Sequence, residues 1–181
     1  MDNLKNLEKI KFSTLQHFDY CWIAGGAIAD FFLDKKPNDI DVYFPSEKAK
    51  KKGVNKFKNL GAKLIREYPF GTKMLYRGMR YDFAFLKSTP EETIEQFDYT
   101  VCSAAIDKNE KFYSHQDFFE HLEEKRLYYL GGDPQRGPSH SVNKARRLQK
   151  YLRKGYSIDR EHLIFWVDKI IKDHQKSRRR V

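Results

Sequence analysis

Hydrophobic and polar residues follow helical or strand periodicity along most of the chain. Apolar residues at near-helical spacing in residues 3–16 predict an amphipathic first helix. Residues 21–24 form an apolar run that ends at Gly25-Gly26, a pattern typical of a buried strand followed by a tight turn. Helical spacing returns in residues 27–33, and residues 39–44 alternate as a strand. The first part of the chain therefore predicts both helices and strands.

The rest of the chain predicts further β structure and then helices. Residues 62–69 and 73–86 have strand character, with a hairpin turn at Arg77-Gly78-Met79. Residues 88–92 read Ser-Thr-Pro-Glu-Glu, which offers hydroxyl caps, a first-turn proline and acidic residues for a helix start. The other predicted helices cover residues 46–59, 117–125, 141–156 and 161–172.

Glycine and proline cluster after residue 130 and indicate a domain boundary. We predict a catalytic α+β domain over residues 1–133, built on a small mixed β-sheet. A short helical, neck-like region with a basic C-terminal tail is predicted over residues 134–181.

Composition narrows the class of partner. The 181 residues include 35 Lys and Arg against 25 Asp and Glu, a net charge of +10 that favours an anionic partner. Cys21 and Cys102 lie in apolar surroundings, which argues against a disulfide framework and for a reducing compartment. The N-terminus lacks the apolar run of a signal peptide, and no segment has membrane-spanning length. We expect a cytoplasmic protein without a membrane partner and leave its oligomeric state open.

Three aspartates suggest a metal site. Residues two apart on a strand share a face, so Asp39 and Asp41 point the same way while Ile40 points into the core. Two adjacent carboxylates suit a Mg²⁺ ion that also bridges substrate phosphates. Asp82 interrupts an apolar strand and is the candidate third ligand of a two-metal site. We expect two Mg²⁺ ions, with Mn²⁺ as a substitute.

Other interpretations of these residues stay open at this point. A glycine pair before a helix lets backbone N–H groups approach a phosphate, but Gly25-Gly26 also fits a plain turn. The Asp-x-Asp pair also fits a solvated strand end. Asp82 alone also fits an ion pair with Arg77 or Arg80.

Together these segments resemble the nucleotidyltransferase superfamily, in particular the bacterial-type tRNA CCA-adding enzymes and poly(A) polymerases. The first family motif, G-G-x-V-R-D followed by D-x-D, is similar to residues 25–30 and 39–41, with Ala29 in place of the arginine. The motif R-R-D-F-T resembles residues 96–100, where Gln96 and Phe97 replace the two arginines. The neck-helix motif resembles residues 146–159.

The resemblance implies roles for individual residues. Asp39, Asp41 and Asp82 would be the catalytic metal ligands. The family's base-reading motif, E-D-x-x-R, falls on residues 139–143. His140 and Asn143 stand at its Asp and Arg positions and would read the base. The implied nucleotide-binding residues are Gly25, Gly26, Asp98, Thr100, His140, Asn143 and Arg146.

A basic helix face favours RNA as the acceptor. Helical spacing places Arg146, Lys150, Arg153 and Lys154 on one face and apolar residues on the other. Lys150, Arg153 and Lys154 are the predicted RNA contacts. The alternative is a basic face that contacts only solvent.

Three functions follow from these observations. The first is metal-dependent transfer of a nucleoside monophosphate from an NTP to the 3′-hydroxyl of a tRNA-like RNA. The second keeps this chemistry but uses a protein or a small molecule as the acceptor. The third is an inactive RNA- or nucleotide-binding protein, against which the three retained carboxylates argue.

Overall fold

The computed structural model describes residues 12–69, 71–131 and 140–178. The described residues divide into two compact units, one within Met1–Glu95 and Cys102–His115 and the other within Gln96–Val101 and Gln116–Val181. The boundary predicted between residues 133 and 134 lies outside the described residues, as does most of the helix predicted over residues 3–16. Phe12–His17, at the end of that prediction, form a 3-10 helix.

The first unit is built on a seven-stranded mixed sheet with the order β3-β4-β5-β2-β1-β6-β7. Neighbouring strands pair antiparallel except β2 and β5, which run parallel. The strands are β1 (Trp22–Ala24), β2 (Asp39–Phe44), β3 (Lys63–Tyr68), β4 (Gly71–Tyr76), β5 (Met79–Phe85), β6 (Ala104–Asp107) and β7 (Phe112–Ser114).

Helices of the first unit begin where the sequence offers a cap. Ser46 caps the helix after β2 by accepting a hydrogen bond from the Ala49 backbone N–H. Thr89 and Glu92 form a reciprocal capping box at the helix that follows β5. The helices of this unit are α1 (Gly26–Phe32), α2 (Glu47–Asn59) and α3 (Pro90–Glu95).

Strand alternation fixes which face of the sheet carries the core. Ile40, Val42 and Phe44 of β2 are buried, whereas Asp39 and Asp41, which alternate with them, are partly exposed. On the core side, the Phe44 ring lies 5.6 Å from Phe83 of β5, in an edge-to-face arrangement. One face of β2 therefore packs on aromatic side chains and the other presents carboxylates.

The second unit is mainly helical. It holds α4 (Phe118–Glu123), α5 (His140–Arg153) and α6 (Arg160–Arg178). A short 3-10 turn, Thr100–Cys102, begins in this unit and ends at the first residue of the returning segment of the first unit. Leu148 and Tyr151 form the buried side of α5. None of the helices in the described part of the chain is both long enough and apolar enough to cross a membrane.

The observed architecture confirms the predicted α+β class with a small mixed sheet followed by helices. A hairpin turn is present at the predicted place but is shorter than predicted: it comprises Arg77 and Gly78, because Met79 already pairs with Tyr76 as the first residue of β5. Strand β6 was not predicted, because residues 101–106 are almost uniformly apolar and carry no alternation. Burial on both faces explains this, since all four residues of β6 are buried. Strand β7 was not predicted either, and its three residues are all partly exposed.

Gly53, in the middle of α2, provides a test of the core. A Cβ atom at this position would lie 2.6 Å from Cζ of Phe44. Alanine normally stabilises a helix interior relative to glycine by about 0.5–1 kcal/mol, but overpacking a core costs roughly 1–3 kcal/mol. We expect Gly53→Ala to lower the free energy of unfolding, measured by urea denaturation, by about 1–2 kcal/mol. The exposed helical neighbour Asn55 supplies the control, because Asn55→Ala should be neutral or slightly stabilising. A Gly53→Ala protein as stable as the native one would contradict the packing.

Candidate functional site

The Asp39 and Asp41 carboxylates lie on the partly exposed face of β2, as the sequence pattern predicted. Backbone alternation places them on the same side of the strand, opposite the buried Ile40 and Val42. Burial of the apolar residues therefore fixes the direction of both carboxylates. Either residue could turn inward only if the whole strand slipped by one position.

Asp82 lies directly beside Asp41. The two residues are register partners in the parallel pairing of β2 with β5, so their side chains share a face of the sheet. Tyr81 and Phe83, on either side of Asp82, are buried on the opposite face. The predicted proximity of Asp82 to Asp41 thus agrees with the strand register.

Asp82 has two partners from the β3–β4 hairpin. The Tyr68 hydroxyl donates a hydrogen bond to Oδ1 of Asp82. The Lys73 ammonium lies 3.1 Å from Oδ2 of the same carboxylate. The sequence had suggested Arg77 or Arg80 as the ion-pair partner, but the cation at this carboxylate is Lys73, its register partner on β4.

The phenol of Tyr68 is influenced by the charges of both Asp82 and Asp41. Burial, the hydrogen bond to Asp82 and the negative charges of Asp82 and Asp41 all raise the pKa of the Tyr68 phenol. Tyr68 therefore stays a protonated donor at neutral pH. Its ring lies so close to Gly71 that a Cβ there would be 2.6 Å from the hydroxyl oxygen. Glycine at position 71 is what lets Tyr68 approach the carboxylates.

Gly25 forms the turn between β1 and α1. Its φ of 95° lies in the region that favours glycine, and its N–H donates to the Ala104 carbonyl. Gly26 begins α1. The predicted order of strand, glycine turn and helix is present, and a phosphate-binding role for the two glycines stays a prediction.

The carboxylates of Asp39, Asp41 and Asp82 are of the type that binds a hard divalent cation, but they are not arranged as three ligands of one ion. Asp39 and Asp41 offer the oxygen donors that Mg²⁺ prefers. Within the residues that the structure describes, no group of three His, Cys, Asp or Glu side chains is arranged to hold a metal ion. At Asp82, the carboxylate already contacts Lys73 and Tyr68. The donor set thus fits a cation at Asp39 and Asp41, whereas participation of Asp82 requires its present contacts to change.

Asp98 and Thr100, predicted from the resemblance to contact a nucleotide, have contacts within the second unit. The buried Asp98 carboxylate accepts a hydrogen bond of 2.9 Å from the Arg147 guanidinium. The hydroxyl oxygen of Thr100 lies 2.8 Å from Nδ1 of His121, and both residues are buried. Sequence reasoning missed Arg147 and His121, because neither residue stands in a motif that predicts these pairs.

The predicted basic face is present on α5. Arg146, Lys150 and Arg153 are exposed, and Lys154, just after the helix, is partly exposed. Asn143 is also partly exposed, whereas the His140 side chain lies outside the described residues. The nucleotide and RNA roles of these residues stay predictions.

Solved structures of similar fold were found over nearly the whole chain. A Thermotoga maritima CCA-adding enzyme complexed with tRNA has a TM-score of 0.70 and 17% identity over 98% of this chain and 47% of its own. A tRNA nucleotidyltransferase complexed with a primer tRNA and an incoming ATP analogue has a TM-score of 0.63 and 16% identity, over 91% and 49% of the two chains. A CCA-adding enzyme with ATP has a TM-score of 0.65 and 18% identity, over 88% and 43%. The chain therefore has the nucleotidyltransferase fold.

Sequence comparison identifies the family. A curated relative, "Gabija anti-defense 2" of Bacillus phage SPbetaL7, is 30% identical over 145 residues. The match covers 78% of this chain but 35% of the relative, so the chain spans about a third of the length of that protein. The model of the Gabija anti-defense 2 family matches residues 2–125. The resemblance to CCA-adding enzymes is thus one of fold, and the chain belongs to the Gabija anti-defense 2 family.

Proposed function

We propose that this protein is a metal-dependent nucleotidyltransferase that transfers a nucleoside monophosphate from an NTP to the 3′-hydroxyl of an RNA. The supporting observation is the register of β2 and β5, which brings Asp41 beside Asp82 with Asp39 on the same face of a nucleotidyltransferase-fold sheet. Such carboxylates have no role in the core, which lies on the other side of both strands. Their partly exposed position outside the core favours a role in chemistry.

In the proposed reaction, the acceptor hydroxyl oxygen forms a bond to the α-phosphorus of the NTP. The bond from that phosphorus to the oxygen bridging the α- and β-phosphates breaks, and pyrophosphate leaves. Asp39 and Asp41 would hold two Mg²⁺ ions, or Mn²⁺, whose chemistry is to neutralise phosphate charge and lower the pKa of the attacking hydroxyl. Asp82 would join these ligands on the acceptor side and take up the hydroxyl proton.

We assign binding of the triphosphate to the turn formed by Gly25 and Gly26, because backbone N–H groups at a glycine turn approach phosphates closely. From the family motifs we extend nucleotide binding to Asp98, Thr100, His140, Asn143 and Arg146 of the second unit.

RNA is the acceptor that the charge distribution favours. The basic face of α5 exposes Arg146, Lys150 and Arg153, beside the partly exposed Lys154, and the whole chain carries a net charge of +10. Two of the structures of similar fold are described as bound to tRNA or a primer tRNA. The family name adds a biological setting, and we propose that the reaction acts against Gabija defence.

A labelling experiment tests this function. The protein and Mg²⁺ are incubated with each α-labelled NTP in turn and with total cellular RNA, and the products are separated on a denaturing gel. We expect one or more α-labelled nucleotides to label an RNA band. The matched control is the same NTP labelled at the γ-phosphate, which should label no RNA because that phosphate leaves as pyrophosphate.

Other outcomes would change the proposal. Label on a protein or small molecule of a host lysate, but not on RNA, would keep the chemistry and replace the acceptor. Transfer of the γ-label would indicate a kinase reaction and contradict nucleotidyl transfer. Absence of label on every acceptor would contradict the enzyme assignment and favour a nucleotide- or RNA-binding protein.

A further inference from the structure

The carboxylate of Asp82 is occupied on both oxygens by groups of the chain itself. Tyr68 donates to Oδ1, and the Lys73 ammonium lies 3.1 Å from Oδ2. Only 17% of the Asp82 side chain is exposed, against 42% for Lys73. As register partners, Lys73 and Asp82 share a face of the sheet, and both side chains are partly exposed there.

Strand register holds this ion pair in place. Asp41, Asp82, Lys73 and Arg66 are successive register partners across β2, β5, β4 and β3, and we call them the charged row. Two acidic residues occupy one half of the charged row and two basic residues the other half. Because the backbone pairing fixes the row, Lys73 starts directly opposite Asp82 and does not reach it from a distant loop.

We propose that the Lys73 ammonium is a built-in counter-cation for Asp82, which occupies this carboxylate in place of a divalent ion and must be displaced before Asp82 can ligate a metal. This inference rests on the proposed function, because it assumes that Asp39 and Asp41 bind the metal that Asp82 would share. Since an ammonium and a divalent cation repel each other and compete for the same oxygen, Lys73 lowers the affinity of the site for metal. Tyr68 supports Lys73 by occupying the second oxygen.

The test is a titration of the full chain with Mn²⁺ in the presence of a non-hydrolysable NTP analogue. Binding is measured from the electron paramagnetic resonance signal of the free ion. We expect Lys73→Met to reduce the Mn²⁺ concentration for half-saturation by about tenfold or more, the size typical of one neighbouring charge. Lys73→Arg keeps the cation and should bind Mn²⁺ like the native protein. Lys63→Met removes an exposed lysine of β3 that pairs with Leu75, and it should leave binding unchanged.

Each result decides the inference. Equal or weaker Mn²⁺ binding by Lys73→Met overturns it, and so does equally tight binding by Lys73→Arg and Lys73→Met. Thermal melting checks that each variant is folded, and Lys73→Gln replaces the methionine variant if that protein is unfolded. The Asp39→Asn/Asp41→Asn protein separates the two hypotheses. If its Mn²⁺ binding equals that of the native protein, the proposed metal site itself is wrong; if it loses binding while Lys73→Met changes nothing, only the role of Lys73 is wrong.

Discussion

Replacing both Asp39 and Asp41 with asparagine is expected to lower the rate of nucleotidyl transfer at least about a thousandfold. Asparagine keeps the size and shape of the side chain but removes the negative charge that holds the divalent cation. Both residues lie on the partly exposed face of β2, away from the aromatic core, so the substitution should leave the fold intact. The loss of activity should therefore come without a loss of stability.

The measurement is the initial rate of incorporation of the α-labelled nucleotide that the native protein uses, together with a thermal melt of each protein. Asp34→Asn is a matched control, because Asp34 is an exposed aspartate of the same unit. Its φ of 55° is one that asparagine tolerates well, so this variant should keep both its activity and its melting temperature. Native-like transfer by the Asp39→Asn/Asp41→Asn protein would show that these carboxylates do not hold the catalytic metal. An equally large loss in Asp34→Asn would indicate a general effect of charge on the assay.

The sequence of β2 was sufficient to predict the direction of the Asp39 and Asp41 side chains. Strict alternation of apolar and acidic residues places Ile40 and Val42 in the core and Asp39 and Asp41 on the other face, and the structure confirms that arrangement. The same reasoning holds for Asp82 between Tyr81 and Phe83. Local periodicity was sufficient here because each strand has one buried face.

The neighbours of Asp82 could not be found in this way. Which strand lies beside β5, and in which register, depends on contacts between residues that are far apart in the chain. The sequence therefore suggested Arg77 or Arg80, which are close to Asp82 in the chain. Lys73 reaches Asp82 through the β4–β5 register, and Tyr68 does so because Gly71 leaves room for its ring. Neither residue stands in a motif, so only the three-dimensional structure identifies them.

In the second unit, too, a contact between residues far apart in the chain could not be predicted from the sequence. Motif similarity singled out Asp98 as a residue that contacts the nucleotide, and it gave no reason to connect this aspartate with Arg147. In the structure Asp98 is almost completely buried, with 3% of its side chain exposed, and it accepts a hydrogen bond from Arg147 of α5. Removing the guanidinium partner of a buried carboxylate is costly whether or not a nucleotide is bound, because the buried charge loses its donor.

Arg147→Met should consequently lower the free energy of unfolding by about 2–3 kcal/mol. Methionine retains much of the apolar length of arginine but leaves the buried Asp98 carboxylate without that charged donor. Breaking a fully buried pair costs roughly 3–5 kcal/mol, and we expect less here because 36% of the Arg147 side chain is exposed. The adjacent Arg146 provides a matched control, since it is exposed on the same helix, and Arg146→Met should change stability by less than about 0.5 kcal/mol.

The difference in free energy of unfolding between the two variants is measured by urea denaturation, with tryptophan fluorescence as the signal. The buried Trp166 of α6 reports on the second unit. Equal stabilities for Arg147→Met and Arg146→Met would contradict a structural role for the Asp98–Arg147 pair. The nucleotide affinity of the same variants then tests the role predicted from the motif. If Arg147→Met lowers stability but retains NTP affinity, Asp98 serves mainly to hold α5 in the second unit. The control for nucleotide affinity is Gln149→Met, because Gln149 is exposed on α5 and is not among the predicted nucleotide-binding residues. If Arg147→Met lowers both stability and NTP affinity while Gln149→Met changes neither, the Asp98–Arg147 pair supports the nucleotide-binding residues through the fold of that unit.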